Sequence, residues 1–124
     1  LYDTQAKAEK VYRAILAQGE FAAKIVSFDF DDTLSTAKGQ DKAKQMLTEG
    51  YRVLIITARQ SKDSKEVFDV ADKLGIKRSD IYFTNGGNKW SVVKRLGVAI
   101  HYDNNQEQID LINKMTKTEG KLFK

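Results

Sequence analysis

Ile25-Val26-Ser27-Phe28-Asp29-Phe30-Asp31-Asp32-Thr33-Leu34 runs an apolar strand pattern straight into a knot of carboxylates closed by a threonine. An extended chain sends alternate side chains to opposite faces. If residues 25–28 form a buried strand, Asp29 and Asp31 therefore leave its C-terminal end pointing the same way. Two like charges so placed need a cation, a shared proton or open water. A divalent metal between them is the economical answer, and hard carboxylate oxygens favour magnesium. The plainer reading is a strand ended by an Asp-rich turn, because Asp and Thr side chains hydrogen-bond locally and often close strands.

Working outward, the chain alternates helix and strand. Gln5 to Ala17 has helical spacing, with Ala8, Val11, Tyr12, Ile15 and Leu16 on one stripe and Gly19 closing it. The first strand spans about Lys24 to Phe30. A helix over roughly Asp41 to Glu49 buries Ala43, Met46 and Leu47, and Tyr51 to Thr57 follows as a buried strand rich in Val, Leu and Ile. The next helix starts near Asp63, with Glu66 three residues on as a capping box, and ends at Gly75. Asp80 to Thr84 reads as a strand, Lys89 to Leu96 as a helix, Val98 to Tyr102 as a strand, and Ile109, Ile112 and Met115 mark a last helix. Gly120-Lys121-Leu122-Phe123-Lys124 looks too short for a full strand.

Repeated strand-helix-strand units with short connections predict an α/β fold: a Rossmann-like three-layer sandwich with a mainly parallel sheet and right-handed crossovers. We expect a single domain over residues 1–124, with its core over 24–116. Only Leu34 to Thr48 separates the first motif from the second strand, and Thr84 to Lys89 is a short turn, so no cap domain is expected.

Composition narrows the function classes. A chain of 124 residues with 41% apolar content can bury one core. No apolar run approaches the length of a membrane span, and no secretory signal is visible, so no membrane partner is expected. The absence of cysteine excludes disulfides and zinc-thiolate sites, and a cytoplasmic location is the default. The chain begins at Leu1, as a trimmed chain or a piece of a longer protein would, and a further domain or subunit could then cover the site. The net charge of +4 is a modest excess without a long basic run, which is a weak case for a nucleic-acid face. If Asp29, Asp31, Asp32 and Asp103 gather at one site, the remaining surface is more basic and favours anionic substrates; a solvated Lys-rich surface is the alternative.

In such sheets ligands bind outside the C-terminal ends of the strands. Reading just past each strand finds Asp29, Asp31 and Thr33 after the first, Thr57 and Arg59 after the second, Asn85 to Lys89 after the third, and Asp103 to Asn105 after the fourth. Random placement would scatter these groups, so their convergence favours a catalytic site.

With those positions in hand, the chain resembles the haloacid dehalogenase (HAD) superfamily. Its phosphatases carry an Asp-x-Asp-x-Thr motif, a Thr or Ser after the second strand, a Lys, and a final acidic pair. The resemblance spans residues 24–105 through Asp29-Phe30-Asp31-Asp32-Thr33, Ile55-Ile56-Thr57, Lys89 and Asp103. It implies a magnesium-dependent phosphomonoester hydrolase in which Asp29 is the nucleophile and forms an aspartyl-phosphate. Asp31 would be the general acid and then the base. Magnesium would be held by the Asp29 carboxylate, the Asp31 main-chain carbonyl and the Asp103 carboxylate. Thr57 and Lys89 would stabilise the phosphoryl charge, with Thr33 ordering the loop beneath Asp29. Asn104 stands where many relatives have a second acid. It could orient Asp103 or a metal-bound water, with less negative charge at the metal, and Glu107 is placed to compensate from the next turn.

Other polar residues have plain readings beside functional ones. His101 shares a strand face with Asp103 and is expected to be a structural histidine. Trp90 is expected to pack a helix on the sheet. Asn85-Gly86-Gly87-Asn88 could cradle phosphate with backbone amides, and Arg59 could bind a second phosphate or the leaving group, or form a surface salt bridge. An uncapped site suits a nucleotide, a phosphorylated nucleic-acid end or a phosphoprotein, the nucleic-acid class being favoured by the basic remainder. The rival from another class is a non-catalytic phosphate- or metal-binding domain of a larger assembly.

Overall fold

A computed structural model describes residues 24–124; the helix expected over residues 5–17 lies outside the described residues. The strands are β1 (Ile25–Phe28), β2 (Arg52–Thr57), β3 (Ile81–Phe83), β4 (Ile100–Asp103) and β5 (Glu119–Leu122). Between them run α1 (Ala37–Thr48), α2 (Lys65–Leu74), α3 (Trp90–Leu96) and α4 (Gln106–Met115). Every strand pairing is parallel, and the sheet order is β3-β2-β1-β4-β5. The fold is the α/β, Rossmann-like arrangement expected from the sequence.

Val53-Leu54-Ile55-Ile56 shows why. A parallel strand covered on both faces needs an unbroken apolar run rather than alternation. Val53 and Ile55 pack with Met46, Val67 and Ala71 beneath α1 and α2, whereas Leu54 and Ile56 pack with Val93 and Ile112 beneath α3 and α4. Each such fully buried aliphatic side chain contributes roughly 1.5–3 kcal/mol of transfer free energy. The helices stop where left-handed backbone is available: Gly75 and Gly97, at φ of 77° and 66°, directly follow α2 and α3.

Two helix starts differ from expectation. The helix expected from Asp41 starts at Ala37, because Thr36 caps it by accepting the Gly39 amide at 3.0 Å. A Cβ on Gly39 would overlap the Thr33 carbonyl, so this glycine lets α1 press against the loop after β1. The capping box at Asp63 does not form; α2 begins at Lys65, and the Glu66 carboxylate is drawn to Arg59 at 3.0 Å.

The C-terminal segment is also corrected. Residues 119–122, expected to be too short, form edge strand β5, and the core expected to end at 116 extends to buried Phe123. Parallel pairing with β4 is only part of what holds so short a strand. Asn113 of α4 accepts from the Gly120 amide at 2.8 Å and donates to its carbonyl at 3.3 Å. Phe123 packs edge-on against Tyr102, and its amide donates to the Asp103 carbonyl at 2.7 Å.

The chain runs outward from β1 to β3 and then returns to the other side of β1 as β4. The order therefore reverses between β1 and β4, which opens a crevice at their C-terminal ends. Asp29 and Asp103 stand at that crevice.

Candidate active site

Asp29 keeps the sheet register for one residue beyond β1, its amide donating to the Tyr102 carbonyl at 2.9 Å. Val26 and Phe28 face α1 and α2, so alternation sends Ser27 and Asp29 towards α3 and α4. The chain then leaves the extended conformation. Phe30–Leu34 forms one wide turn, closed by bonds from the Leu34 amide to the Asp29 carbonyl (3.1 Å) and from the Ser35 amide to the Phe30 carbonyl (2.8 Å). Asp32 takes φ of 59° within it, a region that short polar side chains tolerate better than most. The turn separates Asp29 from Asp31: Asp29 stays buried and Asp31 is exposed. The two carboxylates do not share a side-chain cation: each has its own.

For Asp29 the cation is Lys89. Its Nζ donates to Asp29 Oδ1 at 2.6 Å and to Asp103 Oδ2 at 2.8 Å, and all three side chains are buried. Lys89 stands at the start of α3, where its amide donates to Gln108 Oε1 at 3.1 Å. The Gln108 Nε2 donates in turn to Asn88 at 3.1 Å, which ties the start of α3 to α4. Gln108 escaped the sequence reading, since its partners are nineteen and twenty residues away and no local pattern marks it.

The two carboxylates differ. Burial pushes the Asp29 carboxyl above its ordinary value; Lys89 opposes this, and the neighbouring Asp103 charge adds to it. Burial also works to raise Asp103, but the hydrogen bond from His101 and the Lys89 charge outweigh it and hold the group below its ordinary value. Asp103 Oδ1 accepts the Asn105 amide at 3.0 Å, and Oδ2 lies 3.0 Å from His101 Nε2. His101 is fully buried, its Nδ1 2.7 Å from Ser27 Oγ, and burial lowers its pKa, which favours the neutral ring.

For Asp31 the cation is Arg59, whose Nε and Nη2 donate to the two carboxylate oxygens at 3.0 and 2.8 Å. This fork-on-fork hydrogen bond holds the Asp31 carboxyl below its ordinary value. Arg59 also reaches Glu66 and the Asp63 carbonyl, and its guanidinium lies 5.0 Å from the centre of the Phe30 ring. Of the roles weighed for Arg59, the ion pair is the one the fold displays.

Thr57 ends β2 fully buried, its Oγ accepting the Arg59 amide at 3.2 Å, and its hydroxyl proton finds no acceptor among the described residues. Thr33, also buried, donates to Asp29 Oδ2 at 3.3 Å. Of the two readings of residues 85–88, the amides of 85–87 display the plain turn. The amides of Asn85, Gly86 and Gly87 donate to the carbonyls of Arg59, Ala58 and Thr84, at 3.3, 2.8 and 2.9 Å. Asn85 and Gly86, at φ of 54° and 82°, are the centre of a tight turn tied to the loop after β2, which explains the Asn-Gly pair. Trp90 packs against the core beneath α3, as expected.

A cavity of about 290 Å³ opens over this array, lined among others by Asp29, Asp31, Gly86, Lys89, Asp103 and Asn104. Asn85, Thr57 and Arg59 do not line it. A larger hollow of about 470 Å³ near Val98 and Met115 lies at the opposite ends of the strands and presents no carboxylate. Among the described residues no group of three or more His, Cys, Asp and Glu side chains forms a ready metal cage. Magnesium is commonly held by one or two carboxylates, with water and substrate phosphate completing its shell, and Asp29 and Asp103 bring two hard-oxygen donors to one cavity. The residues present therefore fit that ion.

No protein-family model matches this chain, and no curated protein matches it. Among solved structures, the chain is similar to a "putative 3-deoxy-D-manno-octulosonate 8-phosphate phosphatase" from Vibrio cholerae. The identity is 16% and the TM-score 0.48, over 82% of this chain and 75% of that one. No helix among the described residues is long and apolar enough to cross a membrane.

Proposed function

We propose that this chain is a HAD-type phosphomonoesterase acting through an aspartyl-phosphate on Asp29. The observation that carries the reading is Lys89 held between Asp29 and Asp103 where the strand order reverses, beneath an open polar cavity. A carboxylate is a feeble nucleophile towards a phosphate dianion unless the charge is screened and the attack aligned. Lys89 supplies fixed positive charge beside the attacking group, with no reorganisation needed at the moment of reaction. Asp29 Oδ1 is taken by Lys89, which leaves Oδ2, only lightly held by Thr33, to attack phosphorus. The Thr57 hydroxyl, whose proton has no acceptor among the described residues, would serve a phosphoryl oxygen only if the substrate reaches past the cavity lining.

Asp31 rests in its ionised form on Arg59, ready to take a proton from the water that hydrolyses the intermediate. To protonate the leaving oxygen first, it must let go of Arg59 and take up a proton from solvent; an anionic substrate that competes for the guanidinium would release it and so favour that uptake. Magnesium, when bound by Asp29, Asp103 and the Asp31 main-chain carbonyl, would neutralise phosphoryl charge. Between Leu34 and Arg52 the chain holds only α1 and its turns, so the site is uncapped by residues 24–124 and open to a nucleotide or a phosphorylated nucleic-acid end.

The test is phosphate release from nucleotides, 3′- and 5′-phosphorylated oligonucleotides and an aryl phosphate, with and without magnesium, beside Asp29→Asn. Release that needs magnesium and disappears in the variant is expected. Folded protein that hydrolyses none of them would leave the rival, a phosphate- or metal-binding domain.

A further inference from the structure

Ser27 and His101 are opposite each other in the β1–β4 register, and both are fully buried on the face that packs against α3 and α4. Leu54, Ile56, Val93 and Ile112 form the apolar layer there, so packing alone would call for an aliphatic pair. Burying two polar side chains in such a layer is costly unless both are hydrogen-bonded, and these two are bonded in series.

The direction of the bonds follows from Asp103. An ionised carboxylate only accepts, so the His101 nitrogen 3.0 Å from Asp103 Oδ2 carries the proton. A neutral ring has one N–H, so Nδ1 is the acceptor and the Ser27 hydroxyl, 2.7 Å away, donates to it. The result is one buried chain from Ser27 through His101 and Asp103 to Lys89 and Asp29.

We propose that His101 is a positioning residue: Ser27 on Nδ1 and Asp103 on Nε2 fix the plane of its ring, and its Nε2–H clamps the Asp103 carboxylate in the orientation that seats Lys89 against Asp29. The clamp matters because the terminal torsion of Asp is broad and two-fold, so a carboxylate held by Lys89 alone could swing. With His101 and Lys89 on Oδ2 and the Asn105 amide on Oδ1, three of about four lone-pair positions are filled. The remaining Oδ1 position is left for the cavity. The kinetic consequence of this proposal rests on the phosphatase reading; the tautomer and the clamp do not.

His101 is the chain's single histidine, so one ring gives every imidazole signal in a long-range 1H–15N correlation spectrum. The expected result is an Nε2–H ring in the wild type and, in Ser27→Ala, the same tautomer with the Nδ1 resonance shifted by loss of its hydrogen bond. An Nδ1–H ring in the wild type, or an Nδ1 resonance unchanged in Ser27→Ala, overturns the proposal whether or not any ester is hydrolysed. In turnover of an aryl phosphate with magnesium, His101→Leu is expected to lose roughly 10–100-fold in kcat with KM little changed. His101→Gln, which keeps a donor near the Nε2 position, should recover most of that loss. Equal impairment of folded Leu and Gln variants, or full kcat in His101→Leu, overturns the proposal. If the wild type hydrolyses nothing while its ring shows the Nε2–H tautomer and responds to Ser27→Ala, the phosphatase reading falls and the clamp stands.

Discussion

Lys89 Nζ lies 2.6 Å from Asp29 Oδ1 across sixty residues of sequence, and the same ammonium holds Asp103 Oδ2 at 2.8 Å. One buried cation thus serves two buried carboxylates. Removing one partner of such a pair strands an uncompensated charge, at a cost of about 3–5 kcal/mol. Lys89→Met is expected to fall in that range by urea denaturation, and Lys89→Met/Asp103→Asn to regain part of the loss. A Lys89→Met protein as stable as wild type would mean that the ammonium does not bridge the acids.

The pH dependence follows from opposite shifts. Asp29 is raised above its ordinary 3.8, so its ionised fraction, and with it turnover, should fall as pH drops through that raised value. Asp103 is lowered, so in acid the unfolded chain binds its proton first. Its stabilisation is present above the unfolded value of about 3.9 and is lost as pH falls through the lower folded value. Asp29 acts in the reverse sense, favouring the fold only below its raised pKa. Asp103→Asn should therefore flatten the acid side of a stability-versus-pH curve, while Asp29→Asn should not.

Arg59 pairs with an exposed carboxylate, and exposed pairs are worth roughly 0.2–1 kcal/mol, so Arg59→Ala should change stability by less than about 1 kcal/mol. Its effect should appear at Asp31 instead. Without the guanidinium fork, the Asp31 carboxyl should titrate at a higher pH, as followed by its carboxyl carbon resonance, and Arg59→Lys should recover only part of the shift.

Gly39 gives a test of sign. In an open helix, Gly→Ala stabilises by up to about 1 kcal/mol. Here the new methyl would overlap the Thr33 carbonyl on the loop beneath Asp29, and overpacking of this kind costs roughly 1–3 kcal/mol. Thermal unfolding of Gly39→Ala is expected to show a lower Tm, with turnover reduced as the loop shifts.

Phe123→Ala is expected to destabilise by about 3 kcal/mol, the low end for a Phe truncation because the ring lies at the edge of the core. Loss of protection at the β4–β5 amides in hydrogen exchange would accompany it. Unchanged protection there would show that Asn113 and the ladder hold β5 by themselves.

Much of the fold was legible because it is written in local patterns. The apolar run Val53–Ile56 declares a strand buried on both faces, and Gly75 and Gly97 mark helix ends. Asp29, Thr57, Lys89 and Asp103 fall at or beyond the C-terminal ends of four strands, where a parallel sheet gathers its ligands. The errors lie where a distant partner overrides the local signal. Asp63 and Glu66 spell a capping box, but Arg59 takes the glutamate; Asn85 to Asn88 allow a phosphate cradle, but the loop after β2 takes the amides of Asn85 and Gly86; residues 119–122 are a poor strand, but Asn113 and Phe123 hold them.

The sequence by itself determined the alternation of strands and helices, the parallel sheet and the carboxylates at its C-terminal edge, since periodicity and turn chemistry act over a few residues. Only the tertiary structure decided which cation serves which acid. Asp29 and Asp31 are two residues apart, yet one turn at Asp32 sends the first to Lys89 and the second to Arg59, because charge pairing depends on distance in space and on burial, neither of which a spacing of two residues specifies.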